Sequence, residues 1–161
     1  MRRKNLSNAN QSISVRSFLV RLIVAAFLLN WVWEISQMSF YIEDGNSWRE
    51  KFLGCTLATF GDALLTLPAY GIGVFVTGNS RWGGGWKVYL TAAVCGTIFA
   101  VIIEWLVQFT NVWTYNDSMP RVPILNVGLL PVLQLTILIP IALRLAARRR
   151  NQNIKRIAAT K

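Results

Sequence analysis

The chain has 161 residues, 53% of them hydrophobic and seven of them Trp, with 17 Lys and Arg against seven Asp and Glu and a formal charge of +10. It contains no histidine, which excludes His-based catalytic triads, His-ligated haem and the usual zinc sites. Four apolar runs, at about 18–40, 53–77, 88–110 and 122–146, leave too little polar surface for a soluble domain. Each is long enough to cross a hydrocarbon core of roughly 30 Å. The predicted fold is all-α, an integral membrane antiparallel four-helix bundle, flanked by basic tails at 1–17 and 147–161.

The N-terminal tail and the start of the first span carry Arg2, Arg3, Lys4, Arg16 and Arg21. The apolar run that follows is longer than a signal-peptide core and ends in no small-residue cleavage site, so it reads as a retained first helix. Within it Asn30, Glu34, Gln37 and Tyr41 recur at spacings of four, three and four, which places them on one stripe. The first loop carries Glu43, Asp44 and Glu50 beside Arg49 and Lys51.

The second span places Thr59, Asp62 and Thr66 on a shared face, with Pro68 and two glycines below. The second loop holds Arg81 and Lys87 around Gly83-Gly84-Gly85, a turn without the spacing or Ser/Thr of a phosphate loop. The third span carries Glu104 and Gln108 one turn apart. Cys55 and Cys95 fall at depths that differ by roughly 20 Å, too far for a disulfide, and read as packing residues.

The third loop, Trp113-Thr114-Tyr115-Asn116-Asp117-Ser118-Met119-Pro120-Arg121-Val122-Pro123, enters the fourth span through two prolines. These enforce a stiff, non-helical approach. Trp113 and Tyr115 are placed to roof a cavity, with Arg121 as a cation near its rim. The fourth span contributes Asn126 and, deeper, Gln134, and ends in the basic run Arg148-Arg149-Arg150.

Both tails and the second loop hold most of the Lys and Arg and none of the acids. By the positive-inside rule both termini are then cytoplasmic, in a bacterial cytoplasmic (inner) membrane, and loops 1 and 3 face outward. The basic charge is thus topology and a means of binding anionic headgroups, and it implies membrane lipids rather than nucleic acid as partners.

Glu34, Asp62 and Glu104 are the acids inside the spans. An ionisable group there costs roughly 2.5–3.5 kcal/mol even on the milder insertion scale for Asp. At 1.5 Å per residue all three lie roughly 9–14 Å below the outward boundary, in one layer. The polar stripes turned inward make an outward-opening cavity. Glu34, Asp62 and Glu104 are its candidate acid/base or cation-stabilising groups. Gln37, Tyr41, Trp113, Tyr115, Arg121, Asn126 and Gln134 are its candidate ligand contacts. Asn30, Thr59 and Thr66 read instead as hydrogen-bonding glue between helices.

Trp33-Glu34-x-x-Gln37-x-x-x-Tyr41, Gly61-Asp62-Ala63-Leu64, Glu104, Trp113-x-Tyr115-x-x-x-Met119-Pro120-x-x-Pro123 and Val127-Gly128-Leu129-Leu130-Pro131-x-x-Gln134 resemble a bacterial family of small four-span membrane proteins. The resemblance covers nearly all of the membrane portion; it implies the fold and the same polar set, and no activity. That family carries a proline after the Gln of its first motif, in the region of Ser39 here. The intramembrane acids and aromatic loop are also similar to those of membrane proteins of carotenoid and isoprenoid metabolism. Three readings of function stand. One is a pocket that binds or acts on a lipid-like or isoprenoid molecule; the others are a proton- or cation-coupled transporter, here as a homo-oligomer, and a non-catalytic assembly partner. The sequence identifies no cofactor and no metal site.

Overall fold

The computed structural model describes the backbone over residues 2–41, 48–79, 85–110 and 114–159, and side chains within those stretches from 15 to 147. Four long helices dominate: α1 (Arg2–Gln37), extended by a 3-10 turn at Met38–Phe40, α2 (Trp48–Thr77), α3 (Trp86–Thr110) and α4 (Leu129–Ala159). Segments of all four, Val15–Phe40, Trp48–Thr77, Trp86–Thr110 and Leu129–Ala147, are long and apolar enough to cross a membrane. The protein is a multi-pass membrane protein built as an all-α four-helix bundle. Each helix packs on its chain neighbours, α4 closes the ring against α1, and α2 meets α4 across the middle.

Lipid tails are as apolar as leucine, so helices in a membrane associate through close packing and hydrogen bonds rather than water exclusion. Both devices are present. Near the end of the bundle that carries the chain termini, a Cβ on Gly73 of α2 would lie 3.0 Å from the Val88 carbonyl oxygen of α3. A Cβ on Gly96 of α3 would come within 2.7 Å of the Leu135 carbonyl oxygen of α4. Only glycine allows these backbones to approach so closely. Phe18, Leu22, Ile139 and Leu143 fill the space between, fully buried.

The fourth span differs from its expected start at 122. Residues Arg121–Val122 (β1) and Val127–Gly128 (β2) pair antiparallel, Arg121 opposite Gly128 and Val122 opposite Val127. The helix begins only at Leu129. Pro123 disfavours helix for Val122 before it. Asn126 then turns the chain at φ 52°, a left-handed conformation that asparagine tolerates better than most residues. Pro131 falls in the first turn of α4, where no intrahelical donor is needed. Pro68 and Pro140 lie inside α2 and α4.

This hairpin folds onto the end of α1. The Asn116 amide donates to the Phe40 carbonyl at 3.0 Å, and its side-chain Nδ2 donates to the Ser39 carbonyl at 2.9 Å. Tyr41 and Tyr115 form a β-bridge and pack ring on ring, with centroids 5.2 Å apart. The bundle therefore has a terminal end, packed and apolar, and a hairpin end where the polar side chains gather.

Candidate functional site

The helical stripe of α1 meets α4 at Gln134 and thereby builds a chain of side-chain amides. Trp33 Nε1, which can only donate, reaches Gln37 Oε1 at 3.1 Å. That fixes Gln37 Nε2 on the opposite side, where it donates to Gln134 Oε1 at 3.1 Å and to Glu34 Oε1 at 3.0 Å. Gln134 Nε2 is then committed to Asn30 Oδ1 at 3.0 Å and Asp62 Oδ2 at 2.8 Å. Asn30 Nδ2 ends the chain on the Ala26 carbonyl, an acceptor only, at 2.8 Å. A fixed donor at one end and a fixed acceptor at the other determine every amide's orientation. Two acids, Glu34 from α1 and Asp62 from α2, hang from this chain as acceptors.

Tyr41 extends the set outward, its hydroxyl 3.3 Å from Gln37 Nε2. Burial, with Glu34 close by, pushes the Tyr41 phenol above its ordinary range, so it stays neutral.

Glu104 is held differently. It is 1% exposed, its Oε1 accepts from the Tyr115 hydroxyl at 2.6 Å, and its Oε2 accepts from the Gly128 amide at 3.0 Å. One carboxyl thus joins α3 to both limbs of the third loop. A Cβ at Gly128 would lie 3.1 Å from Glu104 Oε2 and 3.3 Å from the Tyr115 ring, so glycine is what lets the amide approach.

Beside these groups lies a cavity of about 490 Å³. Its volume falls in the range of about 300–1,000 Å³ typical of small-ligand sites. Glu34, Asp62, Glu104 and Gln134 form its polar wall. Met38, Leu57, Ala58, Ala100, Ile103 and Leu135 supply much of the apolar remainder, and Glu50, Lys51 and Thr114 stand at the hairpin end. Among the described residues Arg21 Nε is the one buried side-chain polar atom without a partner. Glu34 and Asp62 both line the cavity.

The structure thus gathers Glu34, Asp62, Glu104, Gln37, Tyr41, Tyr115 and Gln134. Arg121 and Asn126 are not brought to the cavity. Both are exposed, and Arg121 Nη1 reaches Asn126 Oδ1 at 3.4 Å. The Asn126 carbonyl accepts from Gln108 Nε2 at 3.0 Å, which spends the Gln108 side chain on anchoring the turn. Trp113 lies outside the described residues. Thr59 and Thr66 donate to the Cys55 and Asp62 carbonyls of their own helix, at 2.8 and 3.3 Å. Asn30, read from the sequence as glue, belongs to the amide chain.

Sequence reasoning missed the apolar wall and the two donors that set the geometry, Trp33 and the Gly128 amide. The Trp33–Gln37 spacing of four was a usable signal for the first. Nothing local marks a backbone amide as the partner of a residue 24 positions away. Among the described residues no three Cys, Asp or Glu side chains gather as a metal-ligand set, and Cys55 and Cys95 are free thiols. No family model, curated protein or solved structure matches the chain.

Proposed function

We propose that the protein binds a lipid-like or isoprenoid molecule in this cavity. The reading rests on one observation: a cavity of about 490 Å³ with a largely apolar lining and a wall of Asp62, Glu34 and Gln134 on one side. Such a site suits an amphiphile, with an apolar body against Leu57, Ile103 and Leu135 and a polar group against the carboxyls. Asp62 is the principal polar contact, because Gln134 orients one of its oxygens and leaves the other toward the ligand. Glu34 is the second such contact, oriented by Gln37. Where the site also catalyses, these two acids are the groups able to give and take a proton at the bound head. Glu104 acts through Tyr115 and Gly128 and is a positioning residue.

The basic tails support a topology with both termini in the cytoplasm of a bacterium and the cavity in the outward half of its inner membrane. The resemblance to a bacterial four-span family is consistent with that setting. A carrier is less well supported. A through-path would continue past Phe18, Leu22, Ile139 and Leu143, all 0% exposed.

The test is mass spectrometry of small molecules that co-purify in mild detergent, wild type against the Glu34→Gln, Asp62→Asn double variant. A lipid or isoprenoid retained by the wild type and lost from the folded variant is the expected result. Equal retention, or none in either protein, overturns the reading.

A further inference from the structure

The four helices are not held together evenly along their length. In the hairpin half, α2 leans on α1. Phe27 meets Phe60 with centroids 4.7 Å apart, Trp31 packs edge-on against Phe52 at 5.9 Å, and Trp31 Nε1 reaches Thr56 at 3.4 Å. Meanwhile α3 is fixed to α4 through Gly96 and through a 2.7 Å hydrogen bond between the Thr97 and Thr136 hydroxyls. The close approach between α2 and α3 is at Gly73 and Val88, near the terminal end. Above it the cavity lies between them, with Gly54, Leu57 and Ala58 of α2 on one side and Ala100 and Ile103 of α3 on the other.

The gap reaches the lipid-facing surface. Leu57 is 75% exposed and yet lines the cavity, as does exposed Gly54 one turn earlier. A Cβ at Gly54 would meet nothing within 4 Å. Across the gap stand Ala100 and Ile103 of α3. The entrance is therefore flanked by apolar and small residues at a depth where a membrane supplies hydrocarbon.

The wall behind that entrance has a definite electrical character. Its deep groups are carboxyl oxygens, and the Gln37 and Gln134 N–H groups that could have faced an anion are turned onto other side chains. The cation among the lining residues, Lys51, stands beside Glu50 one helical segment away from Asp62. A phosphate head needs several fixed N–H donors, and on this wall those donors are already spent on other side chains. A hydroxyl or an amine would meet partners.

We infer that the α2–α3 seam is a side entrance through which an amphiphile with a non-anionic, hydrogen-bond-donating head passes from the bilayer, head toward Asp62 and Glu34 and chain trailing past Leu57. This rests on the proposed lipid-like ligand and adds both its route and its head chemistry.

The test uses the full chain in lipid nanodiscs and three diazirine-bearing probes of equal chain length: a fatty alcohol, a fatty amine and an alkyl phosphate. Cross-linked residues are located by mass spectrometry, with lipid-facing Val20 of α1 as the internal reference. The alcohol or the amine is expected to label Ile103 and Leu57 at least tenfold more than the phosphate does. Which of the two prevails tells a neutral head from a cationic one. Gly54→Phe, at an exposed position with room for a Cβ, is expected to cut labelling at Ile103 at least fivefold and leave Val20 unchanged. Leu57→Trp, at an exposed position, serves as the second plug. Phosphate labelling equal to that of the alcohol and the amine overturns the head assignment. Undiminished Ile103 labelling in both plugged variants overturns the side entrance and leaves a cavity filled from the hairpin end. Labelling of Ile103 by no probe above the Val20 level overturns the proposed function itself.

Discussion

The terminal and hairpin halves of this bundle use the same four helices and solve opposite problems. In the terminal half, Gly73 brings α2 against α3 and fully buried Phe18, Leu22, Ile139 and Leu143 fill what remains, while Gly96, near the middle of α3, joins α3 to α4. In the hairpin half a cavity lies among the helices, and hydrogen bonds among Asn30, Gln37, Gln134, Glu34 and Asp62, with Glu104 held by Tyr115 and Gly128, form its polar side. The contrast teaches that an open, polar cavity in a membrane needs a closed anchor elsewhere. Packing at one end makes the other end's spacing tolerable.

The largest effect should come from removing the hub of the polar half. Gln134→Leu strips the partners of Asp62, Asn30 and Gln37 at once, and each buried group left without one costs about 1–3 kcal/mol. Thermal unfolding in detergent should show the bundle lost or its midpoint sharply lowered. An unchanged midpoint would mean that the amide chain contributes nothing to the fold.

Next is the anchor. Gly96→Val forces side-chain atoms onto the Leu135 carbonyl and Ile139, and overpacking of this sort costs about 1–3 kcal/mol. The same unfolding experiment should find it destabilised, whereas Gly61→Ala, with nothing within 4 Å of its Cβ position, should be neutral.

Tyr115→Phe separates clasp from cavity. It leaves Glu104 Oε1 without its donor at a cost of about 1–3 kcal/mol. Hydrogen exchange should rise at the Asn116 and Leu129 amides, which tie the hairpin down, while the α3–α4 contacts stay protected. Asp62→Asn should be milder for stability, since an amide oxygen can still accept from Gln134, and most severe for the ligand. Retention of the co-purifying molecule should fall at least tenfold in a protein that melts normally.

The smallest change should follow Thr66→Val. Its hydroxyl bonds a carbonyl of its own helix, and such contacts in membrane helices are worth about 0.6 kcal/mol on average. A large loss of ligand from this variant would extend the site beyond Asp62.

Much of this was legible in the residues alone. Four apolar runs of sufficient length dictate four spanning helices, because only helices and closed barrels satisfy the backbone in hydrocarbon. A 3.6-residue period places Asn30, Glu34 and Gln37 on one face whatever that face meets. The high cost of a carboxyl in lipid turns Glu34, Asp62 and Glu104 inward in any packing. The tertiary structure decided how three similar acids divide: Glu104 is clasped by Tyr115 and the Gly128 amide, whereas Asp62 and Glu34 are oriented by side-chain amides at the cavity wall. It also decided that residues 121–128 form a hairpin rather than a helix start, that Arg121 and Asn126 do not line the cavity, and that the cavity lies between α2 and α3. The physical reason is range. Helix periodicity is set by neighbours within a turn or two, but the donor that meets a carboxyl is chosen by contacts such as Asn30 with Gln134, 104 residues apart.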